Sequence, residues 1–282
     1  MSQNSNLPQV FTLEAGVQWH EAYAAADAQN RLLVGGFSSG GSVGSAGGWV
    51  SGGGHSALAP QYGLGKLGLR LLKIDLIHFL GVDNVIQMTV VTANGSHLTA
   101  NEFLNSDLFW ALRGGGGGTY GVLTSVSYKS HPSTPFTGAY FSANRTDTNS
   151  TDPDAIQKIL SKLVAMTPDL VSKGYGGYGS ANTSTLGFYL LSPTATYAQT
   201  NETYQPFFDY ALSLAQAGVL SVVNSTLSYP SFTSWYSTLL PESGDVGTPT
   251  EVSSWLLPKD VMTKEPDMVA EKLLTIEQGV SY

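Results

Sequence analysis

The glycine-rich stretch GGWVSGGGHSALAPQYGLG, at positions 47–65, constrains the fold of this chain more than any other feature. Seven of its nineteen residues are glycine, and ordering a glycine costs more backbone entropy than ordering any other residue. A flexible linker would be polar throughout, whereas this stretch also carries Trp49, His55 and Tyr62. The alternation of bulky residues with glycines predicts an ordered loop whose backbone passes close to a large, planar ligand.

The composition of the chain argues against several classes of partner and site. Only 12% of the 282 residues are charged, about half of the roughly 25% that is usual. The net charge is −8 and no Lys/Arg cluster is present, so we expect neither nucleic acid nor an anionic membrane as a partner. The chain has no cysteine, which excludes disulfides, thiolate metal sites and cysteine nucleophiles. We identify no metal-ligand pattern and no apolar run of membrane-spanning length.

Six N-x-[ST] sequons indicate the secretory pathway. They begin at Asn94, Asn144, Asn149, Asn182, Asn201 and Asn224. One sequon carries almost no information, but six in a chain with few charges favour a secreted or extracellular glycoprotein. Chance occurrence in a Ser/Thr-rich chain is the alternative. The first residues, MSQNSNLPQV, lack the basic and apolar regions of a signal peptide, so we expect that peptide to be missing from this chain.

Local patterns in the first half predict strands and short helices. The segment NVIQMTVVTANGSHLTA (84–100) alternates apolar and polar residues around Asn94-Gly95, a pair that favours a hairpin turn. NSDLFWALR (105–113) predicts a short helix with an Asn or Ser cap. We also predict a strand over 10–17, a helix over 19–30, and a strand over 120–129 that follows the five glycines at 114–118.

A break in the pattern at HPSTPF (131–136) predicts a domain boundary. Beyond it we predict strand 137–143, helix 153–166, strands 174–181 and 184–191, helix 203–217 and strand 219–228. This order is typical of an antiparallel sheet with helices on one face. We therefore assign the chain to the α+β class, with a first domain at 1–131 and a second at 132–282.

Nucleotide-binding motifs explain the glycines poorly. No P-loop pattern is present, and although Gly116–Gly121 fits G-x-G-x-x-G, a dinucleotide fingerprint follows a strand and opens a helix, whereas here the predicted order is reversed. Gly63–Gly68 also fits, with Asp83 placed where a ribose ligand is expected. The preceding SALAPQY contains Pro60 and makes a poor central strand. A NAD-dependent dehydrogenase using Gly63–Gly68 is therefore a weaker alternative.

Three long blocks of sequence resemble one family. They are VGSAGGWVSGGGHSALAPQYGLG, VDNVIQMTVVTANG and NSDLFWALRGGGGGTYGVLTSVSYK. In order and spacing they are similar to the PCMH-type FAD-binding domain of the vanillyl-alcohol oxidase superfamily, in its berberine-bridge-enzyme-like branch of FAD-linked oxidases. The resemblance covers residues 10–131 and continues weakly through YPSFTSWYSTLL and SSWLLPKDVM. It implies a partial FAD-binding domain at 1–131 and a partial substrate-binding domain at 132–282.

The resemblance also implies which residues lie beside the FAD. In this family the glycine-rich loop runs past the flavin, and the matching neighbours here are Gly44, Ser45, Gly48, Gly52 and Gly53. Gly121 and Val122 would lie beside the adenosine half of the cofactor. His55 is a further candidate for the cofactor site, although packing of the loop explains it more simply. Trp49 and Tyr62 are better explained as core anchors than as substrate contacts.

Several family features have no match in this chain. Members attach FAD through a histidine on an N-terminal loop, where a Gly-Gly-His segment also binds the pyrophosphate, and that part would lie upstream of Met1. Some members add a cysteinyl link at the position of Ser45, where serine excludes the bond. The C-terminal segment that completes the flavin domain is also unmatched. We therefore expect an N- and C-terminally truncated fragment of a longer enzyme.

An unusual insertion interrupts the family pattern. Tyr-Gly-Leu-Gly normally runs directly into Val-Asp-Asn, but here KLGLRLLKIDLIHFLG (66–81) intervenes. Removing those sixteen residues restores YGLGVDNV, and codons for both junctions can carry splice-site sequences in the same phase. We interpret 66–81 as a retained intron. The alternative is a genuine amphipathic helix.

These observations predict an FAD-dependent oxidoreductase of the oxidase type. It would oxidise a small alcohol, sugar or alkaloid-like substrate and pass electrons to oxygen, and as this fragment we expect it to be inactive. No catalytic base is identified, because Tyr175, Tyr178 and Tyr189 are better explained by packing. A noncatalytic secreted glycan-binding glycoprotein remains the rival hypothesis, and it predicts no flavin binding. The oligomeric state is not indicated by the sequence.

Overall fold

Antiparallel strand pairing organises both halves of this chain in the computed structural model, which describes residues 9–37, 43–62, 80–146, 152, 154–216, 218–239 and 255–276. The chain divides into two units. The first runs to Pro135 and includes Tyr229–Thr248, and the second comprises Phe136–Ser228 and Pro249–Tyr282. Each unit contains helices and an antiparallel sheet, which confirms the predicted α+β class.

The elements up to Pro132 are short. In chain order they are β1 (Val10–Glu14), α1 (Trp19–Asp27), β2 (Arg31–Leu32), α2 (Gly48–Ser51), α3 (Ala59–Tyr62), a 3₁₀ helix (Gly81–Asn84), β3 (Val85–Val91), β4 (His97–Asn101), α4 (Ser106–Leu112), β5 (Val122–Lys129) and β6 (His131–Pro132). The main sheet has the order β1-β5-β3-β4, and β2 pairs separately with β6.

The remaining elements are longer on average. They are β7 (Phe136–Arg145), α5 (Ala155–Ser172), β8 (Gly176–Ala181), β9 (Thr185–Ser192), α6 (Tyr197–Ala215), β10 (Leu220–Tyr229), α7 (Phe232–Leu239), α8 (Lys259–Lys264) and α9 (Pro266–Ile276). The second sheet has the order β10-β7-β9-β8. None of the helices in the described ranges has the length and apolar character needed to cross a membrane.

One face of the first sheet lies in the core and the other is polar. Leu13 and Met88 both lie opposite Val126 and are buried with it. Because side chains alternate along a strand, their neighbours point to the other face, where Thr12 Oγ1 lies 2.8 Å from Ser127 Oγ. The predicted hairpin at 84–100 is confirmed, with its turn at Asn94-Gly95 and a φ of 82° at Gly95.

The second sheet is covered on one face by helices, as predicted. Phe141 on β7 lies opposite Phe188 on β9, and both pack against Phe207 and Phe208 of α6. The predicted helix over 203–217 instead begins at Tyr197. Thr196 and Gln199 form a capping box that the prediction missed: Thr196 Oγ1 accepts the Gln199 N–H, and Gln199 Oε1 accepts the Thr196 N–H.

One further helix end was predicted wrongly, and one predicted cap residue lies where expected but bonds elsewhere. Helix α5 continues to Ser172 and passes through Pro168, whereas the prediction ended it at 166. Helix α4 has no side-chain cap at Asn105, whose φ is 48° and whose Nδ2 donates to the Thr99 carbonyl at 2.7 Å. This asparagine therefore shapes the preceding turn and does not satisfy the helix end.

Candidate functional site

The first glycine-rich segment is built against tryptophan rings. Trp19 is fully buried, and its ring centroid lies 4.9 Å from that of Trp49. A Cβ at Gly54 would lie 2.7 Å from the Trp49 ring, and a Cβ at Gly81 would lie 2.1 Å from it. Both glycines are therefore required by the indole of Trp49, which acts as the core anchor that the sequence suggested.

The second glycine run lies directly against the first. The Gly116 N–H donates to the Ser51 carbonyl at 3.0 Å. A Cβ at Gly117 would lie 3.4 Å from the Gly48 Cα, and one at Gly114 would lie 3.7 Å from the Gly53 Cα. We call residues 47–54 and 114–118 together the paired glycine loops. Both distances are those of ordinary van der Waals contact, so the two segments pack backbone against backbone.

The sequence analysis did not include 114–118 among the site residues. The signal was five consecutive glycines, of which Gly114, Gly116 and Gly118 have positive φ values of 118°, 109° and 73°. Such backbone conformations strongly favour glycine. A run of this kind therefore marks a shaped loop, even where the G-x-G-x-x-G pattern itself is not a dinucleotide fingerprint.

Some of the predicted cofactor glycines are required by the chain itself. A Cβ at Gly52 would lie 3.1 Å from the Gly48 carbonyl oxygen, and one at Gly53 would lie 3.2 Å from Leu80 Cδ1. Gly121 has a φ of 147°, and its Cβ would lie 2.6 Å from the Val91 carbonyl oxygen. Gly121 is explained by this clash and its positive φ, and Gly53 by its positive φ of 99°, so neither needs a ligand, whereas the contact at Gly52 is tight without excluding a side chain.

Gly44 and Gly48 are different, because open space lies where their side chains would be. A Cβ at Gly48 would meet no described atom within 4 Å, and at Gly44 the nearest would be the Val17 carbonyl oxygen at 4.0 Å. Neither residue has a positive φ. The described residues therefore give no steric or conformational reason for glycine at these two positions. Space of this kind beside exposed backbone fits a ligand that approaches the main chain.

The Ser45 side chain is committed to the loop. The residue is fully buried, and its Oγ donates to the Val17 carbonyl at 2.9 Å. Its own carbonyl accepts the Tyr128 hydroxyl at 2.5 Å, and burial raises the pKa of that phenol well above its usual value. Ser45 thus fixes the loop to strand β5, and its hydroxyl group is engaged in doing so.

Two further predicted residues lie at the surface. The side chain of His55 is exposed, and its carbonyl accepts the Trp49 Nε1–H at 3.1 Å, in keeping with a packing role for the loop. Val122 is 68% exposed at the start of β5, although it is apolar. An exposed apolar residue beside Gly121 is a reasonable contact for a flat ring.

Arg113 links the second glycine run to the 3₁₀ helix. Its Nε donates to the Val82 carbonyl at 3.2 Å, and its Nη2 lies 3.6 Å from Asp83 Oδ1. Asp83 also accepts the Leu80 N–H at 3.1 Å. The carboxylate that a NAD site would have used is therefore engaged with protein groups. Of the alternative motif Gly63–Gly68, all residues lie outside the described part of the chain.

His131 forms a buried polar contact in the first unit. Its Nε2 lies 2.7 Å from Asn84 Oδ1, and its ring centroid is 4.5 Å from that of Tyr62. Burial, followed by the charges of Lys129 and Arg31, lowers the pKa of His131 to about 4. The imidazole is therefore neutral near pH 7, and its Nε2–H donates to the Asn84 side chain.

The tyrosines of the second unit lie on opposite faces of its sheet. Tyr175 is in the core, where its hydroxyl donates to Thr200 Oγ1 at 2.9 Å. Tyr178 and Tyr189 lie directly opposite each other on the face away from the helices. Burial raises the pKa of both, and for Tyr178 the nearby Tyr189 adds to the effect. Raised pKa values disfavour the phenolate form, so neither residue is suited to act as a base.

The residues that the structure describes contain no group of three or more His, Asp or Glu side chains that could hold a metal ion. The geometry of the described residues identifies no catalytic base in either unit. The features that distinguish the molecule are therefore the paired glycine loops of the first unit and the tyrosine-bearing sheet face of the second.

Comparison with known proteins gives a consistent set of relatives, although no family model matches the chain. It is 32% identical over 269 residues to an uncharacterised FAD-linked oxidoreductase of Arthroderma benhamiae, covering 93% of this chain and 42% of that protein. It is 31% identical over 273 residues to the VAO-type flavoprotein oxidase VAO615 of Thermothelomyces thermophilus, covering 96% of this chain and 43% of that protein.

Solved structures show the same fold. The VAO-type flavoprotein MtVAO615 of Myceliophthora thermophila C1 superposes with a TM-score of 0.74 at 28% identity, over 95% of this chain and 45% of that one. Glucooligosaccharide oxidase of Acremonium strictum gives a TM-score of 0.60 at 22% identity, over 85% of this chain and 43% of that one, and at this identity the likeness concerns the fold alone. The chain spans about two fifths of the length of the curated relatives it matches.

Proposed function

The chain is a relative of FAD-linked oxidoreductases and VAO-type flavoproteins along nearly all of its length, and on that premise we propose that it is part of an FAD-dependent oxidase. Its partners would be oxygen and a small alcohol, sugar or alkaloid-like substrate. Hydride acceptance from the substrate and electron transfer to oxygen are the chemistry that FAD supplies when bound. The protein's part is to bind, orient and shield the reacting groups.

The open space beside Gly44 and Gly48 is the observation that carries this proposal. Gly48 in the paired glycine loops, and Gly44 just before them, offer bare backbone there, and the packing of the described residues does not explain it. We propose that the main chain at these two glycines holds the flavin, with Gly52 and Gly53 shaping the loop around it. Val122, next to Gly121, would contact the adenosine half. Ser45 would act by fixing the loop, and His55 by its place at the loop surface.

Flavin binding tests this proposal directly. We expect FAD fluorescence to be quenched on titration with the 282-residue chain, with an affinity too weak for the flavin to be kept through purification. Gly48→Val should weaken that binding at least tenfold, because the added side chain would occupy the open space. Gly187→Val, in the other unit, is the matched control and should leave FAD binding unchanged. Equal binding by Gly48→Val and the unaltered chain would count against the site.

We further propose that this length of chain is inactive on its own. It matches about two fifths of the length of its relatives, and we propose that the family's pyrophosphate-binding segment is among the parts that it does not match. Hydrogen bonds to charged groups contribute about 1.5–3 kcal/mol each, so losing several weakens binding by orders of magnitude. The purified chain should be colourless and show no oxidase activity. A yellow protein that keeps its flavin through gel filtration would contradict this.

We also propose that residues 66–81 are a retained intron. Most of them lie outside the described residues, but Leu80 and Gly81 are placed. Leu80 covers Gly53, and Gly81 lies on Trp49 with its N–H bonded to the Gly54 carbonyl. Deleting 66–81 puts Leu64 and Gly65 at the same positions before Val82, so the contacts with Gly53 and Trp49 can be remade.

Transcript sequencing and a deletion variant both test the insertion. We expect source cDNA without codons 66–81, and we expect the deleted chain to be at least as stable as the full one. If all transcripts carry these codons, the segment is genuine protein.

Finally, we propose that the chain is a secreted glycoprotein. Asn94 and Asn144 are exposed, and Asn94 and Asn182 accept hydrogen bonds from backbone N–H groups two residues on, at 3.0 and 2.8 Å, in surface turns. Expression behind a signal peptide in a eukaryotic host should give a product that shrinks on endoglycosidase treatment. Asn94→Gln should remove one step of that change, whereas an unchanged mobility of the parent would count against glycosylation.

A further inference from the structure

A cleft of about 550 Å³ opens between the end of α5 and the first turns of α6, on the helix side of the second unit. Its volume is within the 300–1,000 Å³ of typical ligand pockets. Tyr175, in its wall, belongs to the core that the helices cover, so the cleft is separate from the open face of the sheet. We call it the helix-end cleft, defined by Lys173, Tyr175, Ala195, Gln199, Glu202 and Thr203.

A Schellman motif at the end of α5 fixes the backbone on one side of the cleft. Gly174 has a φ of 85°, and its N–H donates to the Val171 carbonyl at 2.9 Å. The Tyr175 N–H donates to the Leu170 carbonyl at 2.9 Å, which completes the motif. Lys173 and Tyr175, on either side of this glycine, are therefore set on a defined path.

A chain of hydroxyl groups fixes the inner wall of the cleft. The Tyr175 hydroxyl donates to Thr200 Oγ1 at 2.9 Å, and Thr137 Oγ1 donates to the Ala195 carbonyl at 2.8 Å. The Thr200 and Thr137 hydroxyls lie 2.8 Å apart. Because the single proton of Thr137 is already donated to Ala195, Thr200 is the donor between the two. Tyr175 and Ala195 are thus held in place before any ligand binds.

Three polar side chains of α6 face the cleft from the other side. Gln199, Glu202 and Thr203 follow the i, i+3, i+4 spacing of a single helix face. Gln199 Oε1 is used by the capping box. Its Nε2, the Glu202 carboxylate and the Thr203 hydroxyl have no hydrogen-bond partner among the described residues. These three groups can therefore bond to a ligand without breaking a contact of the fold.

The cleft carries one charge of each sign. Lys173 contributes an ammonium group and Glu202 a carboxylate. Lys173 Nζ also lies 2.8 Å from Asp169 Oδ2, but both side chains are well exposed, and exposed ion pairs are weak, so the ammonium group can turn to a ligand. A ligand that carries both charges pairs with both residues, whereas a singly charged ligand also meets a group of its own sign.

The size and the wall of the cleft restrict the ligand further. A sphere of this volume is about 10 Å across, which three extended residues span at roughly 3.3–3.6 Å each. Tyr175 is only 2% exposed, so the described lining offers no open aromatic face on which a sugar ring could stack. The amide of Gln199 and the hydroxyl of Thr203 suit the C=O and N–H groups of a peptide backbone.

We propose that the helix-end cleft binds a zwitterionic peptide of about three residues, with its carboxylate on Lys173, its α-amino group on Glu202 and its backbone on Gln199 and Thr203. This is an accessory site that does not depend on the flavin proposal. Gly48→Val, in the other unit, should bind the peptide as the parent does, so the two proposals can succeed or fail separately.

Calorimetric titration of the 282-residue chain with trialanine tests the site. We expect a Kd of millimolar order, because the charged groups of the cleft are exposed to water. N-acetyl-trialanine lacks the ammonium group and trialanine amide lacks the carboxylate, so each should bind at least fivefold more weakly. Equal binding of the three peptides, or no binding of trialanine to the folded chain, would overturn the proposal.

Variants that remove one charge locate the two ends of the peptide. Glu202→Gln should weaken trialanine binding at least fivefold and abolish the preference over N-acetyl-trialanine, because the group that recognises the ammonium is gone. Lys173→Gln should do the same for the preference over trialanine amide. Lys162→Gln, at an exposed position on α5 outside the cleft, is the matched control and should bind as the parent does. Near-ultraviolet circular dichroism checks that each variant is folded. If both cleft variants keep the parent's preferences, the site is not this cleft.

Discussion

The two four-stranded sheets share an architecture and differ in what their outer faces do. On the first sheet, polar side chains bond to one another across strands, as Asn101 does to Gln87 at 3.1 Å and Thr89 to Ser125 at 2.7 Å. On the second, the corresponding face carries a row of three tyrosines, Tyr140, Tyr189 and Tyr178, and next to it Gly187, which has no side chain. A face whose donors and acceptors are already paired gains little from a ligand, whereas partly exposed rings still have surface to bury. The outer face of the second sheet therefore keeps aromatic surface that is still partly exposed, whereas that of the first is occupied by its own hydrogen bonds.

The largest expected effect concerns the buried faces, because each of the two sheets has one face in a hydrophobic core. Phe141 is fully buried against Phe188 and Phe207. Phe141→Ala should lower the free energy of unfolding of the second unit by about 3–5 kcal/mol, because it removes apolar surface and leaves a cavity. Guanidinium denaturation measures this loss. The exposed Tyr197→Ala serves as control and should change stability by less than about 1 kcal/mol.

The next largest effect is that of acid, which should lower the stability of the first unit through its histidines, because all five histidines precede residue 132. The pKa of His131 is about 4 in the folded chain against an ordinary 6.5, so below pH 6.5 the unfolded state binds a proton that the folded state does not. This contribution is complete above pH 6.5 and is lost as pH falls towards 4. It amounts to roughly 3 kcal/mol, at about 1.4 kcal/mol per pKa unit.

The pH dependence can be assigned with one variant. His131→Gln keeps a hydrogen-bonding group but cannot titrate in this range. Its stability should vary less than the parent's between pH 6.5 and 5, as measured by denaturation at each pH. A parallel slope in the two proteins would show that His131 is not the group responsible.

The smallest effect separates the outer faces themselves. Thr89 Oγ1 lies 2.6 Å from Thr124 Oγ1 and 2.7 Å from Ser125 Oγ, so Thr89→Val should cost about 1 kcal/mol, because Ser125 Oγ loses this hydroxyl partner and Thr124 Oγ1 keeps only His97 Nε2, 3.2 Å away. Ser142→Ala, on the second sheet, removes a single exposed hydrogen bond, which Asn144 Nδ2 donates to Ser142 Oγ at 3.1 Å, and should cost less than about 0.5 kcal/mol. Thermal unfolding compares them. If Ser142→Ala costs as much as Thr89→Val, the contrast between the two faces fails.

Patterns that act over a few residues predicted much of the fold. Alternation around Asn94-Gly95 gave the β3–β4 hairpin correctly, and element order gave the antiparallel second sheet. The errors came from signals that compete. The predicted helix over 153–166 ended too early, because α5 continues through Pro168 to Ser172, and tertiary packing can outweigh the hydrogen bond that a proline removes. The resemblance to FAD-linked oxidases is confirmed by the relatives.

The candidate site was predicted in part, because motifs identify residues but not what they touch. Gly52, Gly53 and Gly121 match the family pattern as well as Gly48 does, yet only coordinates reveal which of them the chain itself requires. The alignment of Tyr140, Tyr189 and Tyr178 in one row depends on the register of three strands, and no local sequence pattern predicts that register. Tyr140 was missed for that reason, and Tyr175 was grouped with residues from which the sheet separates it.

The contact between the two glycine segments has a consequence for protein engineering. Because the Gly116 N–H bonds to Ser51, and because Gly117 lies against Gly48, the shape of one segment depends on the other. Transplanting 47–54 alone into a new scaffold would remove the second segment, whose contacts help to hold the first in its shape. Bulky residues opposite it would push the segment out of shape. The unit of transfer is therefore a discontinuous pair of segments, together with Arg113, which connects the second to Val82.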